Sequence, residues 1–382
     1  MNNKPHVVVG MSGGVDSSVA AYLLKEQGYQ VTGLFMVNWD SAANQDVLGN
    51  PTLADETCPQ EKDYSDALNV ANHLNIPLER VDFVEEYWND VFTYFLDEYE
   101  KGRTPNPDVM CNKYIKFAKF KEHAKNLGAD YIAMGHYARL QRHEDGRVEL
   151  LRGVDSNKDQ TYFLSQLTQE QLKEALFPVG DIPKDKVRAI AHKQNLPTAD
   201  KKDSTGICFI GERDFQGFLR NYLPAQSGEI RTLEEKVIGE HVGLMHYTIG
   251  QRKGLGIGGH PDYANEPWFV VGKDLTNNIL YAAQGYYHDK LYSTHCTVES
   301  LNLLDASHYK TLEGATLTAK FRYRQPDQPV HLDLSQELPV VHFDHPVRAV
   351  TPGQAVVLYD GDVCLGGGII KHVYKDSERL PY

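Results

Sequence analysis

Residues 7–24 constrain the fold of this chain more than any other stretch. Val7-Val8-Val9 is an unbroken β-branched run, the pattern of a strand buried on both faces of a parallel sheet. Ser12-Gly13-Gly14 breaks that run. Apolar residues at 15, 19, 20, 23 and 24 then keep helical spacing. The order is strand, glycine loop, helix. Glycines let backbone N–H groups approach an anion, and a helix N-terminus adds partial positive charge. Ser12, Ser17 and Ser18 add hydroxyl donors. The run Gly10, Met11, Ser12, Gly13, Gly14, Val15, Asp16 and Ser17 is therefore a candidate phosphate site, with a plain glycine turn as the alternative. It contains no lysine and matches neither G-x-x-x-x-G-K-[ST] nor G-x-G-x-x-G, which excludes the two commonest nucleotide loops.

The spacing predicts further strands over 30–36, 77–83 and 130–135 and helices over 64–74, 88–99 and 184–194. Strands alternating with helices imply βαβ units and a parallel sheet. Ligands of such sheets sit at the carboxyl ends of the strands. Gly10, Met36 and Gly135 fall at such ends and are the expected rim of a nucleotide pocket, with ordinary core and turn as the alternative. Beyond residue 211 short runs are broken by Gly239, Gly243, Gly250, Gly254, Gly256, Gly258 and Gly259, and 286–382 reads as all-β. Residues 316–323 alternate as a strand, with Lys320, Arg322 and Arg324 on one face and Phe321 and Tyr323 on the other. Asp360-Gly361 signals a hairpin. The expected fold is α/β. An N-terminal parallel sheet flanked by helices over 1–211 is followed by a small central domain over 212–284 and a C-terminal β-barrel over 285–382.

A chain of 382 residues has ample length for several cores. No run of about 18 apolar residues is present, so no membrane span is expected. The start, Met1-Asn-Asn-Lys-Pro-His6, leads straight into a core strand and has no signal-peptide pattern. Five cysteines form no C-x-x-C pair, which suits a reducing, cytoplasmic setting. The net charge of −13 at first argues against nucleic acid. Yet residues 40–100 carry fifteen acids and two bases, so the remainder is balanced, and 101–125 carry seven bases and two acids. Charge this localised leaves room for an RNA partner.

Two stretches hold candidate reactive groups. In Thr104-Pro-Asn-Pro-Asp108-Val-Met-Cys111, two prolines stiffen the loop before Asp108. Asp108 and Cys111 would share a helical turn if Asp108 opens a helix. The alternative is an N-cap aspartate beside a buried cysteine. Cys208 is preceded by Lys201, Lys202 and Gly206, a setting that can lower a thiol pKa. Cys364 lies in an apolar strand and reads as core; Cys58 lies in the acidic loop and is ambiguous; Cys296 has no reactive setting.

Taken together, S-G-G-V-D-S, G-R-T-P-N-P-D-V-M-C-N-K, G-H-Y, D-S-N-K-D-Q-T-Y-F-L, D-S-T-G-I-C-F-I-G-E-R, I-G-Q-R-K-G-L, F-R-Y-R-Q and T-P-G-Q-A resemble the bacterial tRNA-specific 2-thiouridylase family. The first of them also resembles the pyrophosphate loop of the ATP pyrophosphatases. The likeness runs from residue 6 to about 371. Tyr114 stands where an acid is expected, and Ile249 where leucine is commoner. The resemblance implies an adenine nucleotide alpha hydrolase-like domain that uses ATP and Mg2+, with Asp16 as a metal ligand. It implies adenylation of a wobble uridine in tRNA, then sulfur transfer from a persulfide donor, a cysteine desulfurase acting directly or through a relay protein. By the same resemblance Cys208 carries the persulfide and Cys111 resolves it, leaving a Cys111–Cys208 disulfide. Asp108 is a general base or positions the uridine. Asn106, Pro107 and Asp108 face the target base, and His136, Lys158, Asp159, Gln160, Arg322, Tyr323 and Gln354 contact the tRNA. On the residues alone, Tyr323 could instead be barrel core.

Other readings compete. An ATP-dependent ligase that delivers ammonia needs no paired cysteines, a nucleotide-sensing or RNA-binding protein needs no chemistry, and a thiol oxidoreductase leaves the glycine loop without a use.

Overall fold

A computed structural model describes the chain except residues 1–3, 54, 56–57, 204–205, 209, 212, 259–262, 306–311 and 313–314. Ser204, Thr205, Phe209 and Glu212 of the motif around Cys208, and Gly259 of the glycine series, lie outside the described residues. The chain divides into two compact units. One comprises Met1–Phe92, Pro107–Asp214 and Gly361–Gly366; the other comprises Thr93–Asn106, Phe215–Asp360 and Gly367–Tyr382.

The first unit is built on a five-stranded parallel sheet. Strand β1 (His6–Gly10) is followed by helix α1 (Val15–Glu26), strand β2 (Gln30–Val37), helix α2 (Pro59–Leu74), strand β3 (Leu78–Asp82) and, further on, strand β4 (Tyr131–Ala133). The order is β3-β2-β1-β4, then the short strand Ala175–Leu176. Val7 pairs with Val31 on one side and with Tyr131 on the other. Val7, Val8 and Val9 are fully buried, which explains why the run never alternates: both faces of β1 are covered. Val15, Val19, Ala20 and Leu24 of α1 and Ala67, Val70 and Leu74 of α2 join the valines in one core. Each such Val or Leu contributes about 1.5–3 kcal/mol by burial. The chain leaves β1 towards β2 on one side, while β4 returns on the other. The carboxyl ends of β1 and β4 therefore flank the switch point where such sheets hold ligands.

Two features of this unit escaped the sequence pattern. The hairpin Ala138–Arg142 with Val148–Arg152 pairs with the segment at Val363 and Cys364. Its strands are short, and arginines and a glutamate interrupt their apolar residues. The aromatic stretch expected as one helix over 88–99 contains the π-helical turn Trp88–Phe92. A second π-helical segment, Cys111–Lys119, continues the turn Pro107–Met110 and passes into Phe120–Asn126.

The second unit holds a four-stranded sheet, ordered Trp268–Asp274, Ile279–Gln284, Gly228–Arg231, Val237–His241. It also holds a closed six-stranded antiparallel barrel that includes Tyr292–Leu303, Thr316–Lys320, Gln328–Asp333, Val340–Arg348 and Ala355–Asp360. Strand Ala355–Asp360 turns at Gly361, with φ +56, into Val363–Lys375. The alternation expected through residue 323 stops early: the strand ends at Lys320, and Gln325 N–H bonds Arg322 O in a turn. Phe321 alone of that pair of aromatics enters the core, packed edge-on at 4.7 Å from Phe343; Tyr323 is half-buried. No helix among the described residues is long and apolar enough to cross a membrane.

Candidate active site

The glycine loop leaves β1 at the switch point. Gly13 has φ +73, and a Cβ there would stand 2.3 Å from Asp63 O, so only glycine fits. Gly14 is the N-cap of α1 and offers no side chain to cap it. The N–H groups of the first helical turn thus lack the partner that Ser or Asp usually supplies. Ser17 Oγ accepts from Ser12 N–H at 3.2 Å and donates to Gly14 O at 3.1 Å, and Ser18 Oγ donates to Gly14 O at 2.8 Å. These bonds fix the loop from within. Met11 is buried under it, while Ser12 is exposed and Met36 is half-exposed where β2 ends.

Asp16 is committed to protein partners. Tyr137 OH donates to its Oδ1 at 2.6 Å, and Lys184 Nζ bonds Oδ1 and Oδ2 at 2.7 and 2.8 Å. Lys184 also reaches Asp203 Oδ1 at 2.8 Å, an oxygen shared with Arg188 at 2.8 Å, while Lys158 holds Asp203 Oδ2 at 2.7 Å. Burial alone would raise the Asp203 carboxyl, but hydrogen bonds from Lys158 and Lys184 outweigh it and hold the pKa at about 2.

Three sequence-distant groups meet at the second set. Cys111 Sγ donates to Cys208 Sγ across 3.9 Å, though the residues are 97 apart in sequence. Cys111 is fully buried and Cys208 half-buried. Cys208 N–H donates to Asp108 Oδ1 at 3.2 Å, and Tyr87 OH donates to Cys208 O at 2.9 Å. Cys208 sits in a tight turn: Ile210 and Gly211 N–H both bond Ile207 O, and Gly206 ahead of it has φ +95. The hydrogen bond from Cys111 lowers the Cys208 pKa against the cost of burial, and the Lys116 ammonium adds to the effect. Burial and that same shared proton push Cys111 well up. The two shifts run in opposite directions, so Cys208 is the more readily ionised thiol of the pair. Burial also raises the Asp108 carboxyl, with Lys116 opposing.

The carboxyl end of β4 joins the two sets. A Cβ on Gly135 would stand 2.9 Å from Ser17 N, so this glycine lies directly against the loop. Tyr137 bonds Asp16, as above. Between them His136 packs on the rings of Phe117 and Phe177. Burial, and then the Lys116 charge, hold this imidazole well below its ordinary pKa, hence neutral.

The expected RNA contacts have mixed placements. Asp159 is buried and spent within its own loop, accepting from Gly153 N–H at 3.2 Å and Thr161 Oγ1 at 2.9 Å. Gln160 Oε1 accepts Tyr137 N–H at 3.0 Å. Lys158 is half-exposed and His136 is buried. In the second unit, Arg322 donates to Ile249 O, Ala349 O and Thr351 Oγ1 at 3.0, 3.1 and 2.8 Å, so its guanidinium ties carbonyls together. Gln354 Nε2 donates to Thr104 O at 2.7 Å, holding the loop that ends at Asn106. Pro107 begins the helical run that carries Asp108. Among the other cysteines, Cys58 is exposed, burial raises Cys296, and burial pushes Cys364 up to about 12.

Three family models match in chain order: the tRNA methyl transferase HUP domain over residues 5–212, the tRNA methyl transferase PRC-barrel domain over 216–284, and the Aminomethyltransferase beta-barrel domain over 293–370. The tRNA-specific 2-thiouridylase MnmA of Staphylococcus epidermidis is 59% identical over 384 residues, all of both chains. That of Staphylococcus saprophyticus is 60% identical over 384 residues, again all of both chains. The chain belongs to the tRNA-specific 2-thiouridylase family. The family models carry methyl transfer in their descriptions and the relatives carry 2-thiouridylation in theirs; the relatives span the whole chain.

Three residues with a place in this 2-thiouridylase site were not singled out from sequence: Tyr137, Lys184 and Lys116. Tyr137 closes the quoted G-H-Y motif without a role assigned to it, because a tyrosine after a strand carries no mark of its partner. Lys184 opens the helix Lys184–Lys193, where a lysine gives no sign that it reaches 168 residues back to Asp16. Lys116 reads on α-helical spacing as lying on a different face from Cys111.

Proposed function

We propose that the protein uses ATP to activate the C2 oxygen of the wobble uridine in tRNAs of the Lys, Glu and Gln type and replaces it with sulfur, giving 2-thiouridine, AMP and pyrophosphate. The observation that carries this reading is a pair of cysteine sulfurs 3.9 Å apart, in the same unit as an uncapped glycine loop and linked to it through the end of β4.

The carbonyl oxygen of uridine is a poor leaving group until it bears AMP. The uncapped N–H groups at the start of α1 suit the pyrophosphate, and Met36 and Gly135 rim the adenosine. Mg2+ would offset phosphate charge when bound. The residues present do not fit a metal held by the protein: both Asp16 oxygens are taken by Lys184, and no group of three or more His, Cys, Asp or Glu suited to a metal occurs among the described residues. The expected role of Asp16 as metal ligand is therefore replaced by one of orienting Lys184 and the loop.

Sulfur delivery balances as follows. The Cys208 thiolate takes the sulfane sulfur of a donor persulfide, and the donor leaves as a thiolate. The terminal sulfur of the Cys208 persulfide attacks C2, and AMP departs. Cys111 loses its proton to Asp108 and attacks Cys208 Sγ. The sulfur–sulfur bond to the base breaks, its electron pair leaves C2 as a thiocarbonyl, and a Cys111–Cys208 disulfide remains for an external thiol to reduce. Closing the pair from 3.9 Å to the roughly 2 Å of a disulfide asks for only a small shift of the Cys208 turn. Asn106, Pro107 and Asp108 would face the base.

The test is incubation with ATP, Mg2+, a persulfide donor and unmodified tRNA, followed by nucleoside analysis. Thiolated uridine and tRNA-dependent pyrophosphate release are expected. Pyrophosphate release that follows an amino acid rather than tRNA, or a methylated uridine formed with a methyl donor, would overturn the reading.

A further inference from the structure

Lys116 stands five residues after Cys111. On an α-helix neighbours lie three or four apart, so residues five apart point to different faces. The segment Cys111–Lys119 is π-helical, and its i→i+5 bonding brings residues five apart onto one face. The preceding turn, Pro107–Met110, is α-helical, so Asp108, three residues back, faces the same way as Cys111. One helical run thus turns a carboxylate, a thiol and an ammonium towards one point, and Cys208 fills it. Its sulfur is 3.9 Å from Cys111 Sγ and accepts a hydrogen bond from Lys116, and its N–H donates 3.2 Å to Asp108 Oδ1.

We infer that Lys116 is a catalytic residue of sulfur transfer: its ammonium touches the Cys208 sulfur and holds it anionic while sulfur is loaded and delivered. The inference deepens the sulfur-transfer reading above and rests on it. In loading, the Cys208 thiolate displaces the donor thiolate from the sulfane sulfur, and Lys116 supplies the charge that lets Cys208 act without first losing a proton. Once loaded, the persulfide anion takes the place of the thiolate beside the same ammonium. Lys116 keeps its proton throughout. Burial disfavours its charge, but Cys208, Cys111 and Asp108 around it outweigh that and raise its pKa. The groups that face this centre are Tyr87, whose phenol burial keeps protonated, Asp108, Cys111, Cys208 and neutral His136.

The resting protein supplies a readout that needs neither ATP nor tRNA. Trace alkylation of Cys208 with iodoacetamide across pH 5–10, read by peptide mass spectrometry, follows the thiolate. Lys116→Met should move the Cys208 profile up by at least about one pH unit and slow its alkylation at pH 7 by about tenfold, since one unit is a tenfold change in thiolate. Lys116→Arg should stay close to wild type. The same shift should appear in a Cys111→Ala background, which removes the thiol hydrogen bond and isolates the ammonium. Single-turnover loading of Cys208 from a persulfide donor should slow in parallel in Lys116→Met and recover at high pH. Lys116→Gln repeats the test if the Met variant does not fold by circular dichroism. An unchanged Cys208 profile in a folded Lys116→Met or Lys116→Gln protein overturns the inference even if the wild type thiolates tRNA. A wild type that makes no 2-thiouridine overturns the sulfur-transfer reading, and with it the catalytic role, whatever the profile.

Discussion

The glycine loop and the thiol cluster lie in one unit of the molecule but are built in opposite ways. The loop takes its shape from consecutive residues: Gly13 at positive φ, Gly14 as an uncapped N-cap, and the serine hydroxyls closing on Gly14 O. The thiol cluster draws on the helical run, the turn at 207–211 and Tyr87, residues up to 121 positions apart. A site made of neighbours depends on local backbone geometry. A site made of strangers depends on the packing that brings them together, and its chemistry is set by burial and by which charges happen to face it.

If the two sites divide the labour, their variants should separate the two half-reactions. The largest effect belongs to the thiols. Cys208→Ser and Cys111→Ser should each lose 2-thiouridine formation to background while keeping tRNA-dependent pyrophosphate release. Cys111→Ser should accumulate a persulfide on Cys208, and one wild-type turnover without reductant should leave a Cys111–Cys208 disulfide. Peptide mass spectrometry decides the assignment: a persulfide on Cys111, or a disulfide through Cys58, Cys296 or Cys364, would reverse it.

Next comes the loop. Asp16→Ala should lower tRNA-dependent pyrophosphate release by about 10²-fold, the scale for losing one well-placed electrostatic group. Wild-type release in that variant would take the loop out of the first half-reaction. The Cys208 alkylation profile should not follow Asp16, and a shift there would show that the two sites are not separable.

Gly135→Ala tests the join between them. Its added Cβ would meet Ser17 N at 2.9 Å and Asp16 C at 3.0 Å, both backbone atoms that cannot swing aside. A stability loss of about 1–3 kcal/mol is expected by denaturant unfolding, as for other overpacked sites. Weaker ATP binding should accompany it. Tight ATP binding with no loss of stability would mean that the end of β4 does not support the loop.

The smallest effect concerns the charge cluster behind the loop. Asp203 has its pKa depressed to about 2, so it contributes stability above the ordinary carboxylate value near 3.8 and loses it as pH falls towards 2. Asp203→Asn should cost less than about 1 kcal/mol near neutral pH, because the carboxylate is exposed and screened, and should converge with wild type below pH 2. Thermal midpoints against pH give the comparison, and a gap that widens in acid would contradict the sign.

The β-branched run at 7–9, the glycines at 13 and 14 and the apolar face of the following helix determined β1, the loop and α1, because strand burial, positive φ and helical periodicity are local properties that residue types impose directly. The likeness of the quoted motifs settled the family for the same reason: it is written in consecutive residues. What only the tertiary structure decided was which side chains answer one another. The sequence spaces Asp108 and Cys111 on one turn, but it does not say that Cys208 closes on them. It does not say that Lys116 joins the pair, because a π-helical register replaces the α-helical one. The reach of Lys184 to Asp16, the burial of Asp159 and the tying of Arg322 to carbonyls likewise depend on chain segments far apart in sequence. Burial and the identity of facing charges are sums over the whole packed unit, and no local window of sequence contains them.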